Sequence, residues 1–261
     1  MKDFFLNVGE CIYCGQKSGP LTREHVLPRG LGGSWAPKGY SDAIVLQRAS
    51  CSACQDITQS IENDCMRSMD VARERLGMKS KDYPDTTLGI GDRPDGSNEV
   101  VQLAWSKLPA FVTIPHFYEA GALNNKPLPQ VAPCDYKILR VASAEPPEML
   151  GYSRVGVQAS CDSKAFARML AKVALGLTVA KYGVAGFVPL VQRLIVSAPE
   201  EYGRWVGGYA GTKQVDPPSS SLHEFGGRVS DRAHGSLIIV AIRLFAEFGG
   251  PTNYVVVGKM R

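Results

Sequence analysis

Two Cys-x-x-Cys pairs, Cys11-Ile-Tyr-Cys14 and Cys51-Ser-Ala-Cys54, constrain this chain more than anything else in it. A turn of that spacing aims both sulfurs at one point, and two such turns build a tetrahedral four-thiolate zinc site. The ion closes a loop that a segment of this length could not otherwise hold shut. Gly15 supplies the positive φ that a knuckle turn of this kind often needs. Residues 11–54 are therefore expected to be organised around a structural Zn2+ with Cys11, Cys14, Cys51 and Cys54 as ligands.

The chain around this loop has the composition of a folded, soluble protein. With 261 residues, 44% hydrophobic and 21% charged, it can bury one large core or two smaller ones. No apolar run reaches the roughly 18 residues that a membrane span needs. Asp3 and a short apolar run disfavour a signal peptide at the start, so a cytoplasmic address is expected. In a reducing compartment the other cysteines, Cys65, Cys134 and Cys161, need no disulfide partner. A net charge of +4 is compatible with nucleic acid without demanding it, so any DNA contact is local.

Periodicity and turn chemistry give an α+β reading. Short strands are expected near residues 4–8, 22–27 and 43–46, with a Gly- and Pro-rich loop around Trp35 that packs on the knuckle. Ile57, Ile61, Cys65, Met69 and Ala72 recur at helical spacing, which predicts a helix over 56–76 that ends at Gly77. Turn signals then stack over 82–98. Strands follow over 100–105, 110–115, 136–142 and 155–159. Ser163 is read as the cap of an almost wholly apolar core helix to Tyr182, with Gly183 after it. A shorter helix is expected over 187–195, and the strongest strands, 236–245 and 254–258, should be antiparallel neighbours. The expected division is a zinc module over 1–82, a linker over 83–98 and an α+β domain with a mainly antiparallel sheet over 99–261.

Inside the zinc loop sits the reactive pair Glu24-His25. A histidine beside a carboxylate suits general-base activation of water, with a divalent cation neutralising phosphate charge. Successive side chains of a regular strand face opposite ways, so both reach one point only at a strand end or bend. No nucleophile-elbow serine is present, and the motif cysteines are taken by zinc, so acyl transfer is not indicated. His116, His223 and His234 have no ligand-spaced partner and read as structural or surface residues; Cys65 reads as core.

The run CIYCG, LTREHVLPRGLGG and ASCSACQD, in that order, resembles the four-cysteine branch of the HNH endonucleases over residues 11–62. The resemblance implies a ββα-metal module in which His25 is the general base and Glu24 binds a catalytic Mg2+ or Mn2+, distinct from the structural zinc. Asp42 lies near the position that helps to hold the histidine through a backbone carbonyl contact. The departure is Gln55, where the family usually has Asn or His as a metal ligand. Gln55 completes the site after a small shift, or Asp56 or Glu62 does so, or the site is lost. Arg29, Arg67, Arg73, Arg75 and Lys79 are the candidate DNA contacts, against the reading of a plain loop cation for Arg29 and of a solvated helix face for the others.

The implied function is metal-dependent hydrolysis of DNA phosphodiesters, with double-stranded DNA as the expected partner, in phage defence, restriction or a mobile element. The 99–261 domain would then recognise target, partner or trigger, with a partner protein or a second copy bound through it. The alternative is a catalytically inactive zinc-stapled module for nucleic-acid binding or assembly.

Overall fold

The computed structural model describes residues 4–32, 44–78, 86–104, 107, 110–124, 135–143, 150–156, 161–208, 216–231 and 235–261. Trp35, Asp42, Lys79, Cys134 and His234 lie outside them. The fold is α+β, with the four-cysteine cluster beside N-terminal strands and a helix, and an antiparallel sheet towards the C-terminus.

The N-terminal sheet has the order β1 (Phe4–Asn7), β3 (Ile44–Cys51), β2 (Leu21–His25), with β1 parallel and β2 antiparallel to β3. Pairing of β2 with β3 slips between Thr22 and Glu24, opposite Arg48, which has a left-handed φ of 51°. A bulge of this kind increases local twist and re-aims the side chains beside it. It lies immediately before the Glu24-His25 pair.

Helix α1 (Ser52–Arg67) starts from the second knuckle itself, with Cys51 as its N-cap, rather than at residue 56. The predicted continuous helix also breaks: Ser68 Oγ donates to the Cys65 carbonyl at 2.8 Å, and a separate α2 (Asp70–Arg75) follows. Gly77, at φ 68°, ends this pair as its sequence position suggested.

Strands β4 (Thr86–Asp92) and β5 (Asn98–Ala104) then form a hairpin. Within the stretch read as a linker, residues 86–92 form a paired strand and the turn signals over 91–97 serve the turn that follows it; residues 83–85 lie outside the described residues. Next come β6 (Ala110–His116), α3 (Gly121–Asn124), β7 (Asp135–Ala142) and β8 (Arg154–Gly156); β6 pairs with β7, and β8 with β4.

Helix α4 (Ser163–Tyr182) is the centre of the molecule. Its cap is Asp162 rather than Ser163, because Asp162 Oδ1 accepts from the backbone N–H groups of Lys164 and Ala165. It packs on α1 and on the C-terminal sheet, and one continuous core runs from Cys11 to Val257. Gly176 lets it come close to the zinc module: a Cβ there would lie 2.9 Å from a methyl of Val26, the residue after His25.

The expected helix over 187–195 divides into β9 (Phe187–Pro189), which pairs with the end of the last strand, and α5 (Gln192–Val196). Then follow α6 (Tyr202–Trp205), β10 (Val206–Gly207), β11 (Glu224–Ser230), β12 (Leu237–Arg243) and β13 (Thr252–Met260). The strong pair β12–β13 is antiparallel as expected, in the order β10–β13–β12–β11. The exposed edge strand β11 escaped pattern reading because Gly226-Gly227 interrupts its alternation and it has no buried face.

Candidate functional site

At one end of the N-terminal module the four cysteines converge. Their sulfurs all lie within 4.8 Å of one another, and Cys14 Sγ is 3.7 Å from Cys51 Sγ. Tetrahedral coordination with Zn–S bonds of about 2.3 Å sets sulfurs roughly 3.8 Å apart. The donor set therefore fits a structural Zn2+. As thiols, Cys11 and Cys54 are pushed up by burial, whereas Cys51 is held down chiefly by the Cys54 backbone hydrogen bond. A bound Zn2+ would supply the charge that favours thiolate ligands here. Gln192 Nε2 donates to the Ile12 carbonyl at 2.6 Å, so the C-terminal part supports the first knuckle from behind.

At the other end, β2 and the loop after it face α1 across a groove of about 860 Å³. His25 stands on its wall, and Arg29 Nε donates to His25 Nε2 at 3.1 Å. That bond requires an unprotonated Nε2, so the ring is in a form able to accept a proton. Gln55, Gln59 and Glu62 line the opposite side from successive turns of α1. Asp56, one residue from Gln55, is exposed on another face of that helix and does not border the groove.

The cationic side chains divide. Arg29, Arg67 and Arg73 border the groove, together with Arg23, which pattern reading had not singled out. Arg67 is 78% exposed and only loosely paired, 3.9 Å from Asp64. Arg73 is a structural brace: it donates to the Gly30 carbonyl at 2.7 Å and to Asp70 at 3.0 Å. A Cβ at Gly30 would lie 2.7 Å from the Arg73 guanidinium, so a larger residue there would displace this brace. Arg75 is directed elsewhere, donating to the Ser143 carbonyl at 2.7 Å.

The carboxylates of the groove floor meet an unexpected partner. Lys172, from the middle of α4 and only 1% exposed, lies 2.7 Å from Glu24 Oε1 and 2.6 Å from Glu62 Oε1. Its Nζ also donates to the His25 carbonyl at 2.6 Å. An ammonium has three donors, and three oxygens take them. Burial pushes the Glu24 carboxyl up, with Lys172 working against that push. Burial would likewise push Lys172 down, but Glu24 and Glu62 outweigh it and hold the ammonium above the usual lysine range. The Tyr13 hydroxyl, buried beside them, is driven up by its burial and by both carboxylates. The sequence did carry a signal for Lys172: a cation in the middle of the apolar stretch of α4, away from Lys164, Arg168 and Lys181 nearer its ends.

A catalytic divalent cation fits this arrangement poorly. Glu24 and Glu62 close on Lys172, and Gln55 Oε1 accepts from Thr22 Oγ1 at 2.8 Å. Among the described residues, only the four cysteines form a group of three or more His, Cys, Asp or Glu ligand atoms close enough to share an ion.

Of the remaining histidines, His223 is half-buried and locked in one tautomer. Its Nδ1 accepts from the Phe245 N–H at 3.0 Å, and its Nε2 faces the Leu31 carbonyl at 2.7 Å. His116 ends β6, away from the groove. Cys65 is core, as its spacing suggested. None of the described helices is long and apolar enough to cross a membrane. No protein-family model, curated protein or solved structure matches the chain.

Proposed function

We propose that the groove takes the backbone of double-stranded DNA and that the chain is an HNH-type endonuclease with His25 as general base. The observation that carries this reading is the position of His25: on the wall of an open polar groove, with Nε2 able to accept a proton and Arg29 against it. Arg29 first moves its hydrogen bond from His25 Nε2 to a non-bridging phosphate oxygen, where negative charge builds in the transition state. Water beside phosphorus then loses its proton to the freed Nε2, its oxygen bonds to phosphorus as the bond to the 3′ oxygen breaks, and that oxygen leaves with a proton from solvent. Arg23 and Arg67 hold flanking phosphates.

The resemblance assigns a Mg2+ or Mn2+ ion to Glu24 with Gln55 or Asp56. Glu24 closes on Lys172, Gln55 is engaged by Thr22 and Asp56 does not border the groove, so these side chains do not present one open point for it. The rival role, a silent zinc-stapled module for nucleic-acid binding or assembly, draws support from the same engagements of Gln55 and Glu24. Under either reading the α+β remainder serves recognition or assembly, with a partner protein or a second copy, and the cellular setting is phage defence, restriction or a mobile element in the cytoplasm.

The test is nicking of supercoiled plasmid by the zinc-loaded full-length protein, with and without added Mg2+ or Mn2+, beside His25→Ala. Loss of a general base lowers the rate by about 100-fold or more. Wild-type nicking that disappears in the variant is expected. Equal inactivity of both proteins with retained DNA binding points to the rival.

A further inference from the structure

The floor of the groove contains an oxygen cage: the carboxylates of Glu24 and Glu62 and the backbone carbonyl of His25. Its three oxygens lie 2.6 to 2.7 Å from one nitrogen. Hard anionic and carbonyl oxygens gathered in this way are the donor set of a Mg2+-like cation. The occupant here is Lys172. We infer that Lys172 is the chain's built-in cation, filling a cage that would otherwise take a divalent ion and holding the His25 backbone in place.

Three observations support the assignment independently of any activity. The ammonium spends all three donors on the cage and is 1% exposed, so it is not a surface lysine that happens to lie nearby. The approach is built into the fold, because the glycine one turn along α4, Gly176, admits Val26 at a distance that a methyl group would forbid. Gln55, the other expected oxygen ligand, is turned to Thr22 rather than towards the cage.

The ammonium leaves the cage with one negative charge, where a divalent ion would leave none. Glu62, the more exposed of the two carboxylates, borders the groove and can share that charge with solvent. Lys172 is therefore a positioning residue: it touches the carbonyl of His25 and the two carboxylates, and is too deeply buried to touch substrate. Its functional consequence rests on the nuclease reading; its occupancy of the cage does not.

The experiment is Mn2+ titration followed by electron paramagnetic resonance on zinc-loaded full-length protein, comparing wild type, Glu24→Gln, Lys172→Met and Lys172→Met with Glu24→Gln. Wild type and Glu24→Gln are expected to bind Mn2+ equally, within twofold. Lys172→Met is expected to gain a site at least tenfold tighter, which the added Glu24→Gln removes. Mn2+ binding by wild type that falls tenfold in Glu24→Gln would overturn the inference, as would a folded Lys172→Met that gains no site. If Lys172→Met does not fold, the wild-type and Glu24→Gln pair decides alone. Because no arm reads nicking, failure of the nuclease reading leaves this result intact.

Discussion

The two ends of the N-terminal module each gather ligand atoms around a cation position, and they do so by opposite means. One end uses four soft sulfurs from two knuckles, with Cys14 at the surface, and fits an ion taken from solution. The other uses hard oxygens from β2 and α1, and its cation arrives covalently attached to α4. The first end can be loaded and stripped; the second is completed only when the C-terminal part of the chain packs against it. A module that looks self-contained in sequence is thus finished by a residue far along the chain, and tests of its chemistry need the whole chain.

Breaking the sulfur end should have the largest effect. Cys54→Ser removes a buried ligand from a site whose ion organises the knuckles, and structural zinc in small modules contributes on the order of 10 kcal/mol at neutral pH. Expected are zinc content near zero by atomic absorption and loss of the folded N-terminal module by circular dichroism. Unchanged zinc content in the variant would refute the ligand set.

Breaking the oxygen end comes next. Lys172→Met leaves Glu24 and Glu62 together without their cation, and removal of one partner from a buried pair costs about 3–5 kcal/mol. Chemical denaturation should show a loss of that size. Replacing Glu24 by Gln in the same variant should recover part of it, since the two effects share one cluster.

The smallest effect concerns a second tie between the two parts. His223 links the loop after β2 to the end of β12 and is neutral, its pKa lowered by burial from 6.5 to about 4. As pH falls, the unfolded chain takes up the proton first. The stability from His223 is therefore complete above about pH 6.5 and is lost progressively towards pH 4, by about 3 kcal/mol at most. Melting temperatures measured across that window should fall in the wild type, and the slope should be shallower in His223→Gln.

Much of the fold could be read from local sequence, for reasons that differ by element. The knuckles, β1, β2, the paired β12 and β13 and the long α4 all carry strong patterns: ligand spacing, apolar alternation or an apolar stripe. The misses are places where tertiary contacts decide. Residues 187–189 become a strand because the end of β13 offers an edge to pair with. Thr86–Asp92 becomes a strand because β5 and β8 flank it. Gly226-Gly227 hides β11.

The candidate site divides in the same way. His25, Glu24, Gln55 and Arg29 were legible as a motif. That Gln55 turns to Thr22, that Arg75 is directed to Ser143 and that Arg23 borders the groove depend on side-chain placement, which no spacing rule encodes. Lys172 was visible only as an anomaly, a cation in a core helix. One of its partners, the His25 carbonyl, lies 147 residues away, beyond the reach of any local pattern.

The most direct measurement is a crystal structure of the zinc-loaded full-length protein soaked in Mn2+, with anomalous maps recorded for both metals. Expected are a zinc peak among Cys11, Cys14, Cys51 and Cys54 and no manganese peak between Glu24 and Glu62, with Lys172 Nζ in that place. A manganese peak bridging Glu24 and Glu62, with the Lys172 side chain displaced, would contradict the built-in cation.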